Sequence, residues 1–555
     1  MQYRKEIDGL RAIAVLPVIL FHGDFSGFSG GYIGVDIFFV ISGYLITSII
    51  VAEISKQQFS LINFYERRAR RILPALSLVL LFTTIAAFIL MPADLLKSYS
   101  QSLVSVATFS SNIFFYLTSG YFSTVSDEKP LLHTWSLAVE EQYYIFFPIL
   151  LMLLWSAGKK NIISILVVIS LISLFLSQYL STKGWVDENF YLIFSRAWEL
   201  LFGSLVAFMN LKTISTTKLT REIIGLLGLL LILVSILFFD AQTPFPSFFT
   251  LTPVLGTCFI IIFGKSDTFV GRFLSTRLFV SVGLISYSLY LWHQPLFAFL
   301  RLKTIGEPST PMLVSAIIAT FILSYLSYRF IEKPFRSKTS FNRKAIFQYS
   351  AASIILVLSV GLSGHLYQGF QGRFANNIYT ETIQPSPKRK ECHTKGADYL
   401  SPDVSCRYFE NNVTWASFGD SHIVEPTYAL SKILEQDGKG LLHLSFSGCP
   451  PALLFEVKQP GCSKWIKESL VYLETNDSIK NIILGFRHSA YLFGDQLDSY
   501  PGLPNENPNN LFSESFRSST AEGAREIYWE SFFGIITRLL KSGKTELPTN
   551  SRHLL

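Results

Sequence analysis

Eleven apolar runs, centred on 11–22, 34–52, 74–92, 141–156, 162–178, 194–210, 223–239, 250–263, 278–300, 311–331 and 348–366, dominate the chain up to residue 366. A helix needs roughly 20 such residues to cross a hydrocarbon layer about 30 Å thick, and inside lipid its backbone must satisfy its own hydrogen bonds. This pattern restricts the region to a polytopic α-helical membrane bundle. Composition agrees, because half of the 555 residues are hydrophobic and Phe alone supplies 49. The formal net charge of +7 does not point to nucleic acid, since the basic residues sit in short clusters between apolar runs, as cytoplasmic loops do. The first run leads into GGYIG and not into a small-residue cleavage site, so no cleavable signal peptide is read.

Charge and cysteine together set an expected topology. Arg4, Lys5 and Arg11 place the N-terminus in the cytoplasm. Cys258 lies within an apolar run and reads as a small buried hydrophobe, whereas Cys392, Cys406, Cys449 and Cys462 all follow the last run. Their spacing favours two local disulfides, Cys392–Cys406 and Cys449–Cys462, and hence an oxidising compartment. Zinc is the weaker reading, for neither pair has tight C-x2-C spacing and no matching His pair follows; no metal is expected. An inside start and an outside end require an odd number of spans. Eleven satisfy this, about ten in a bundle and one linking span, with basic loops at Arg67–Arg71, Lys159/Lys160, Lys212–Arg221, Lys265–Arg277 and Lys333–Lys344 on the cytoplasmic side. The Ser-rich stretch 100–118 is then a re-entrant or interfacial helix.

Beyond the last run the text turns polar, with Pro385, Pro387 and Lys388–Lys390 in a linker. Strands VTWAS, LLHLSF and NIIL alternate with helices at 425–436, 463–474 and 521–540, the pattern of a parallel α/β sheet. About three strands are read; the tail KTELPTNSRHLL does not read as another. In WASFGDSH (415–422), Ser421 follows a strand on a tight turn, as hydrolase nucleophiles do.

Ionisable residues inside apolar runs each cost about 2.5–3.5 kcal/mol at mid-depth and so mark candidate sites. Arg11 and His22 are eleven residues apart, which sets them on one helix face roughly 16 Å apart. Each also reads as a membrane boundary. Asp36, at the matching end of the next span, is placed to orient the His22 imidazole for general-base work. In FYERRARRILP (64–74), Arg67/Arg70/Arg71 and Arg68/Arg71 share helix faces, a grouping that suits a phosphate-bearing ligand as well as positive-inside charge. HTWSLAVEEQYY adds His133, Glu140 and Glu141, where two acids also complement a helix dipole. SRAWELLFG adds Arg196 and Glu199, and ISYSLYLWHQP adds Tyr287 and His293.

The combined text, RKEIDGLRAIAVLPVILFH, GGYIGVDIFFVISGYLIT, FYERRARRILP, HTWSLAVEEQYY, SRAWELLFG, ISYSLYLWHQPL and SYRFIEKPFR, resembles the membrane acyltransferase-3 family over about residues 1–336. The resemblance continues through a linking helix (337–377) and a polar linker (378–412) into an SGNH domain (413–555), as in lipopolysaccharide O-antigen acetyltransferases. The family's Arg-x10-His pair falls on Arg11 and His22, and its Arg-x-x-Arg motif on Arg68 and Arg71. FGDSH matches the first SGNH block, with Ser421 as nucleophile and oxyanion donor, and Gly448 matches the glycine of the second. The third block carries Arg487 where Asn is usual. No Asp-x-x-His follows; the nearest text is Asn550-Ser-Arg-His553, so this flavodoxin-like domain reads as incomplete and truncated.

The resemblance implies a bacterial inner-membrane O-acyltransferase with a cytoplasmic N-terminus and an extracytoplasmic C-terminal domain. Its donor would be acetyl-CoA, a substrate and not a resident cofactor, held by Arg11, Arg68 and Arg71. Its acceptor would be a hydroxyl of an envelope glycan or lipid-linked saccharide, O-antigen first and peptidoglycan as the alternative, with His22, Asp36 and Ser421 catalytic. A transporter or flippase, a glycan-binding or esterase module and an inactive truncated copy are the competing readings; no inverted repeat supports transport.

Overall fold

The computed structural model describes residues 3–118, 126–209, 216–304, 308–337, 339–374, 386–457, 459–493 and 521–548. The chain forms two compact units, Met1–Gln371 and Gly372–Leu555.

Every expected apolar run of the first unit is helical. Seven helical stretches among the described residues are long and apolar enough to cross a membrane, and Thr134–Thr182 holds two of the expected spans in its 49 residues. Three of the expected spans are shorter or more polar helices: Lys5–His22, Leu251–Phe263 and the pair Arg277–Leu284 and Ser286–Lys303. Large apolar side chains such as Phe146, Leu153, Phe175 and Phe238 lie exposed on the outside, where lipid and not water satisfies them. The unit is that of a multi-pass membrane protein. Stretch 100–118 is two helices, Ala93–Ala107 and Ser111–Leu117, broken where Phe109 takes a positive φ of 53°.

One helix crossing decides where Asp36 points. Gly34–Ile54 packs on Ile193–Phe208 with glycine on both sides: a Cβ at Gly43 would strike the Leu200 carbonyl, and one at Gly203 the Val40 carbonyl. Membrane helices use small residues in this way because close backbone approach supplies the contact that hydrophobic burial cannot. The crossing sets Asp36 beside Arg196 and Glu199.

The second unit is an α/β sheet of six strands among the described residues: β1 (His393–Thr394), β2 (Arg407–Tyr408), β3 (Val413–Gly419), β4 (Gly440–Phe446), β5 (Asn481–Gly485) and β6 (Thr545–Pro548). The order is β1-β4-β3-β5-β6, with β2 pairing antiparallel on β4 and all other pairs parallel. Phe418, Phe446, Trp465, Leu470 and Ile482 form the core under one face. Disulfides join Cys392 to Cys406 and Cys449 to Cys462.

The sheet corrects the expectation of about three strands. Residues Thr545–Pro548 pair with Asn481–Leu484, although TELP carries no apolar run. Main-chain bonding begins with the Thr545 N–H to the Lys480 carbonyl at 2.8 Å. The preceding Lys544 is buried and donates to the carbonyls of Asn476 (2.7 Å) and Ile479 (2.9 Å). This anchor, and not side-chain hydrophobicity, sets the strand. His553 lies outside the described residues.

Candidate functional site

In the first unit a cavity of ≈ 180 Å³ is lined on its polar side by Arg11, Ser42, Arg68, Arg71, Ser136, Glu140, Tyr144, Ser286, Tyr287 and Tyr290, and on its apolar side by residues that include Phe38, Phe39, Leu45, Ile46 and Ile72. The Arg11, Arg68 and Arg71 singled out by motif therefore meet at one place, from two helices. The four arginines of 67–71 divide by helix face. Arg67 bonds Glu53 at 2.9 Å, and Arg70 bonds Glu66 at 2.8 Å while reaching the Phe341 carbonyl at 2.9 Å. The expected grouping of Arg67 and Arg70 with Arg71 is thus replaced by a split: 67 and 70 serve packing, and 68 and 71 face the cavity. Glu66 also receives Arg343 at 2.7 Å, which ties the start of Arg343–Leu366 to the helix Leu61–Leu90.

Three guanidiniums in one cavity repel one another, and taking charge out of water is costly unless it is paired. Glu140 is the only carboxylate in the cavity wall among the described residues. Its oxygens accept from Ser42 Oγ and Tyr144 Oη, each at 3.0 Å, and the Tyr144 ring lies 5.6 Å from the Arg68 guanidinium. Asp8, outside the wall, pairs with Arg11 at 3.6 Å, so Glu140 is the one carboxylate that faces Arg68 and Arg71 within the wall among the described residues, and positive charge is in excess there. Glu141, the next residue, is buried outside this wall. Tyr287 is in it, its hydroxyl donating to the Ile72 carbonyl at 3.0 Å.

Tyr290 leads from the cavity to three imidazoles. Its ring is 5.3 Å from that of His293 and 5.5 Å from that of His133. His293 is in turn 5.5 Å from His133 and 5.2 Å from His22. Nδ1 of His22 lies 2.9 Å from the Val18 carbonyl. Only an N–H can bond a carbonyl, so that nitrogen carries the proton and Nε2 the lone pair.

Asp36 does not orient His22. Its carboxylate lies 3.1 Å from Arg196, which also holds Glu199 at 3.1 Å, and all three side chains are at most 1% exposed. The Arg196 guanidinium is 5.2–5.8 Å from the rings of Phe39, Trp135, Phe190 and Phe245. Asp36, Arg196 and Glu199 form a closed structural cluster, because the glycine crossing turns Asp36 toward Ile193–Phe208 while the imidazole bonds its own helix. Sequence reasoning missed Ser42, Tyr144 and Tyr290. Tyr290 stands three residues before His293, on the same helix face, and that spacing was a usable signal.

In the second unit Ser421 opens a short 3₁₀ turn directly after β3. β3 lies between β4 and β5; the connection from β3 runs to β4 while that from β5 runs the other way to β6, and such a switch point is the usual place for a site in an open parallel sheet. The neighbouring Asp420 is enclosed: Oδ1 accepts the His422 N–H at 2.8 Å and Nδ1 of His422 at 3.2 Å, and Oδ2 accepts the Arg487 N–H at 2.7 Å and Tyr491 Oη at 2.8 Å. Burial pushes this carboxyl up, but the bonds from His422, Arg487 and Tyr491 outweigh it and hold the group below its usual range. Arg487, in the place of the usual Asn, thus enters through its main chain. His422 turns to Asp420. Gly448, which follows β4, has a φ of +62° that favours glycine.

Residues 4–329 match the model of the acyltransferase domain of the acyltransferase-3 type, and residues 391–545 match the SGNH domain fused to such domains. The chain is 33% identical over 383 residues to the putative peptidoglycan O-acetyltransferase YrhL of Bacillus subtilis, a match covering 65% of this chain and 60% of that protein. It is 32% identical over 354 residues to the peptidoglycan O-acetyltransferase OatA of Listeria monocytogenes, covering 61% and 57%. It is 32% identical over 379 residues to the O-acetyltransferase OatA of Staphylococcus aureus, covering 65% and 62%. The chain thus spans about three fifths of the length of these curated relatives. No solved structure matches it.

Proposed function

The chain belongs to the acyltransferase-3 family of membrane proteins with a fused SGNH domain, and on that premise we propose that it transfers an acetyl group from acetyl-CoA to a hydroxyl of an envelope glycan. The observation that carries this reading is the meeting of Arg11, Arg68 and Arg71 in one cavity whose wall has too little negative charge. Planar guanidiniums bind phosphate oxygens bidentately, and a donor bearing several phosphates supplies the missing charge. Arg11 lies in the middle and His22 at the C-terminal end of one helix, roughly 16 Å apart, so a long donor held by its phosphates extends its thioester toward the imidazoles. His22, with its lone pair on Nε2, takes the proton of the accepting hydroxyl. Ser421 carries the acyl group in the C-terminal unit. In this reading the N-terminus and the donor are cytoplasmic, and the disulfide-bonded unit is extracytoplasmic.

The relatives' names favour peptidoglycan as the acceptor, whereas O-antigen stands only on the resemblance given above. Cells expressing the chain are therefore assayed for ester-linked acetate on both glycans. Gain on either, lost in a His22→Ala variant, supports transfer; loss of pre-existing acetate would show an esterase, and no change in either glycan would sink the reading.

A further inference from the structure

Resting on that reading, we propose that His293 is the imidazole that receives the acyl group from the donor thioester, while His22 is the base of the second step. One bond fixes the tautomer of His293. Its Nδ1 lies 2.7 Å from the Tyr290 carbonyl, one turn back on its own helix. That nitrogen must be the N–H, so Nε2 holds the lone pair. Nε2 is buried and has no hydrogen-bond partner among the described residues. A buried nitrogen base without a partner is costly, and no partner offsets it among the described residues. A lone pair that is fixed in direction, buried and unbonded is the state a nucleophile needs.

Position separates the roles of the two imidazoles. Tyr290 is in the cavity wall, and its ring meets that of His293 at 5.3 Å. His22 lies beyond His293, ring to ring at 5.2 Å. His293 is fully buried, whereas His22 is partly exposed and its carbonyl accepts from Arg301, which also bonds Asp24, itself 58% exposed. The order from cavity to surface is therefore Tyr290, His293, His22. His133, whose ring nitrogens also lack partners among the described residues, flanks both Tyr290 and His293.

The chemistry balances along that order. Nε2 of His293 attacks the thioester carbonyl carbon; the N–C bond forms, the C–S bond breaks, and the thiolate leaves toward the cavity arginines. The acylimidazolium that results keeps its Nδ1 proton on the Tyr290 carbonyl and is strongly activated. The oxygen of the accepting hydroxyl attacks the acyl carbon, its proton passes to Nε2 of His22, and the N–C bond breaks to restore neutral His293. The proton on His22 then neutralises the thiolate, so that thioester and alcohol become ester and thiol.

The test uses the full chain in lipid nanodiscs with acetyl-CoA labelled in its acetyl group. Two variants divide the steps. His293→Asn keeps a donor at the Nδ1 position for the Tyr290 carbonyl and removes Nε2; His22→Ala deletes the second base. The expected result is that His22→Ala accumulates a hydroxylamine-sensitive label on the peptide containing His293. His293→Asn should show no label and a loss of transfer of at least about 100-fold, with acetyl-CoA affinity within about twofold of the parent. Retained affinity certifies the fold of the variant. Transfer by His293→Asn within a few-fold of the parent, or a label that maps to His22, overturns the proposal. Failure of the parent chain to bind acetyl-CoA would instead overturn the donor reading, and this proposal with it.

Discussion

The two units build their sites in opposite ways. In the membrane unit, the candidate residues are charges and imidazoles set in apolar helices, each an energetic cost that the sequence displays openly. In the C-terminal unit, Ser421 is an ordinary polar residue at a strand end, and only the motif around it marks the place. The surroundings of each site differ as well. The cavity arginines are gathered from Lys5–His22 and Leu61–Leu90, with Tyr144 and Tyr290 from two further helices. Asp420 draws its partners from the adjacent turn and from residues 487 and 491 just past β5. In lipid, then, the expense of a charge announces a site but does not name its partner. In a sheet, the strand order names the partner once the register is known.

The largest effect expected from that contrast is structural. Arg196 is the cation that pairs with two buried carboxylates, so Arg196→Leu leaves Asp36 and Glu199 without it. Removing one partner of a buried pair costs about 3–5 kcal/mol. The variant should be largely lost from the membrane fraction, measured by immunoblot against a tagged parent. Normal abundance would show that the cluster is not structural. His22→Ala should give the reverse: a fall in acetylation of about 10²–10⁴-fold with membrane abundance unchanged, because a partly exposed helix-end residue contributes little packing. If both variants lose protein alike, the division between structural and chemical charge fails.

A smaller effect separates the arginines of 67–71. Arg68→Ala and Arg71→Ala should each weaken acetyl-CoA binding by about 10-fold or more, the value of one charge-assisted contact of about 1.5–3 kcal/mol. Arg67→Ala, whose side chain is spent on Glu53 at the surface, should leave binding unchanged. Equal losses from Arg67 and Arg68 would mean that the cluster acts only as bulk positive charge.

Legibility in the sequence divides along the same line. The apolar runs gave the helices, because 20 apolar residues have few other solutions. The Arg-x10-His and Arg-x-x-Arg spacings placed Arg11, Arg68 and Arg71 on the faces that the structure turns to one cavity. The partner of Asp36 was not legible, since it depends on a crossing set by Gly43 and Gly203, and no local pattern encodes which helix a glycine will meet. β6 was not legible either, for TELP has no alternation and its pairing rests on main-chain bonds and the buried Lys544. The cysteine spacing, in contrast, carried both disulfides, because loops this short leave each cysteine one near neighbour.

The smallest effect concerns acid and the C-terminal unit. Asp420 sits below its usual range in the folded unit, while in the unfolded chain it titrates near 3.9, about the model-peptide value. Unfolding then takes up a proton wherever pH lies between the two values, so stability rises with pH across that window. The contribution of Asp420 is fully present above the unfolded value and is lost as pH falls through the folded one. Amide hydrogen exchange of peptides covering 413–423 and 481–493, measured in the full chain, should show a constant opening free energy above about pH 5 and a decline below about pH 4. Tyr491→Phe deletes the bond to Oδ2 and moves the folded value upward, so the window narrows and the total acid loss shrinks. Peptides from the membrane unit, where Arg196 holds its carboxylates in a closed cluster, serve as the internal reference. An acid response that is unchanged by Tyr491→Phe would mean that groups other than Asp420 set it, and that the turn behind Ser421 is held by β3 and β5 alone.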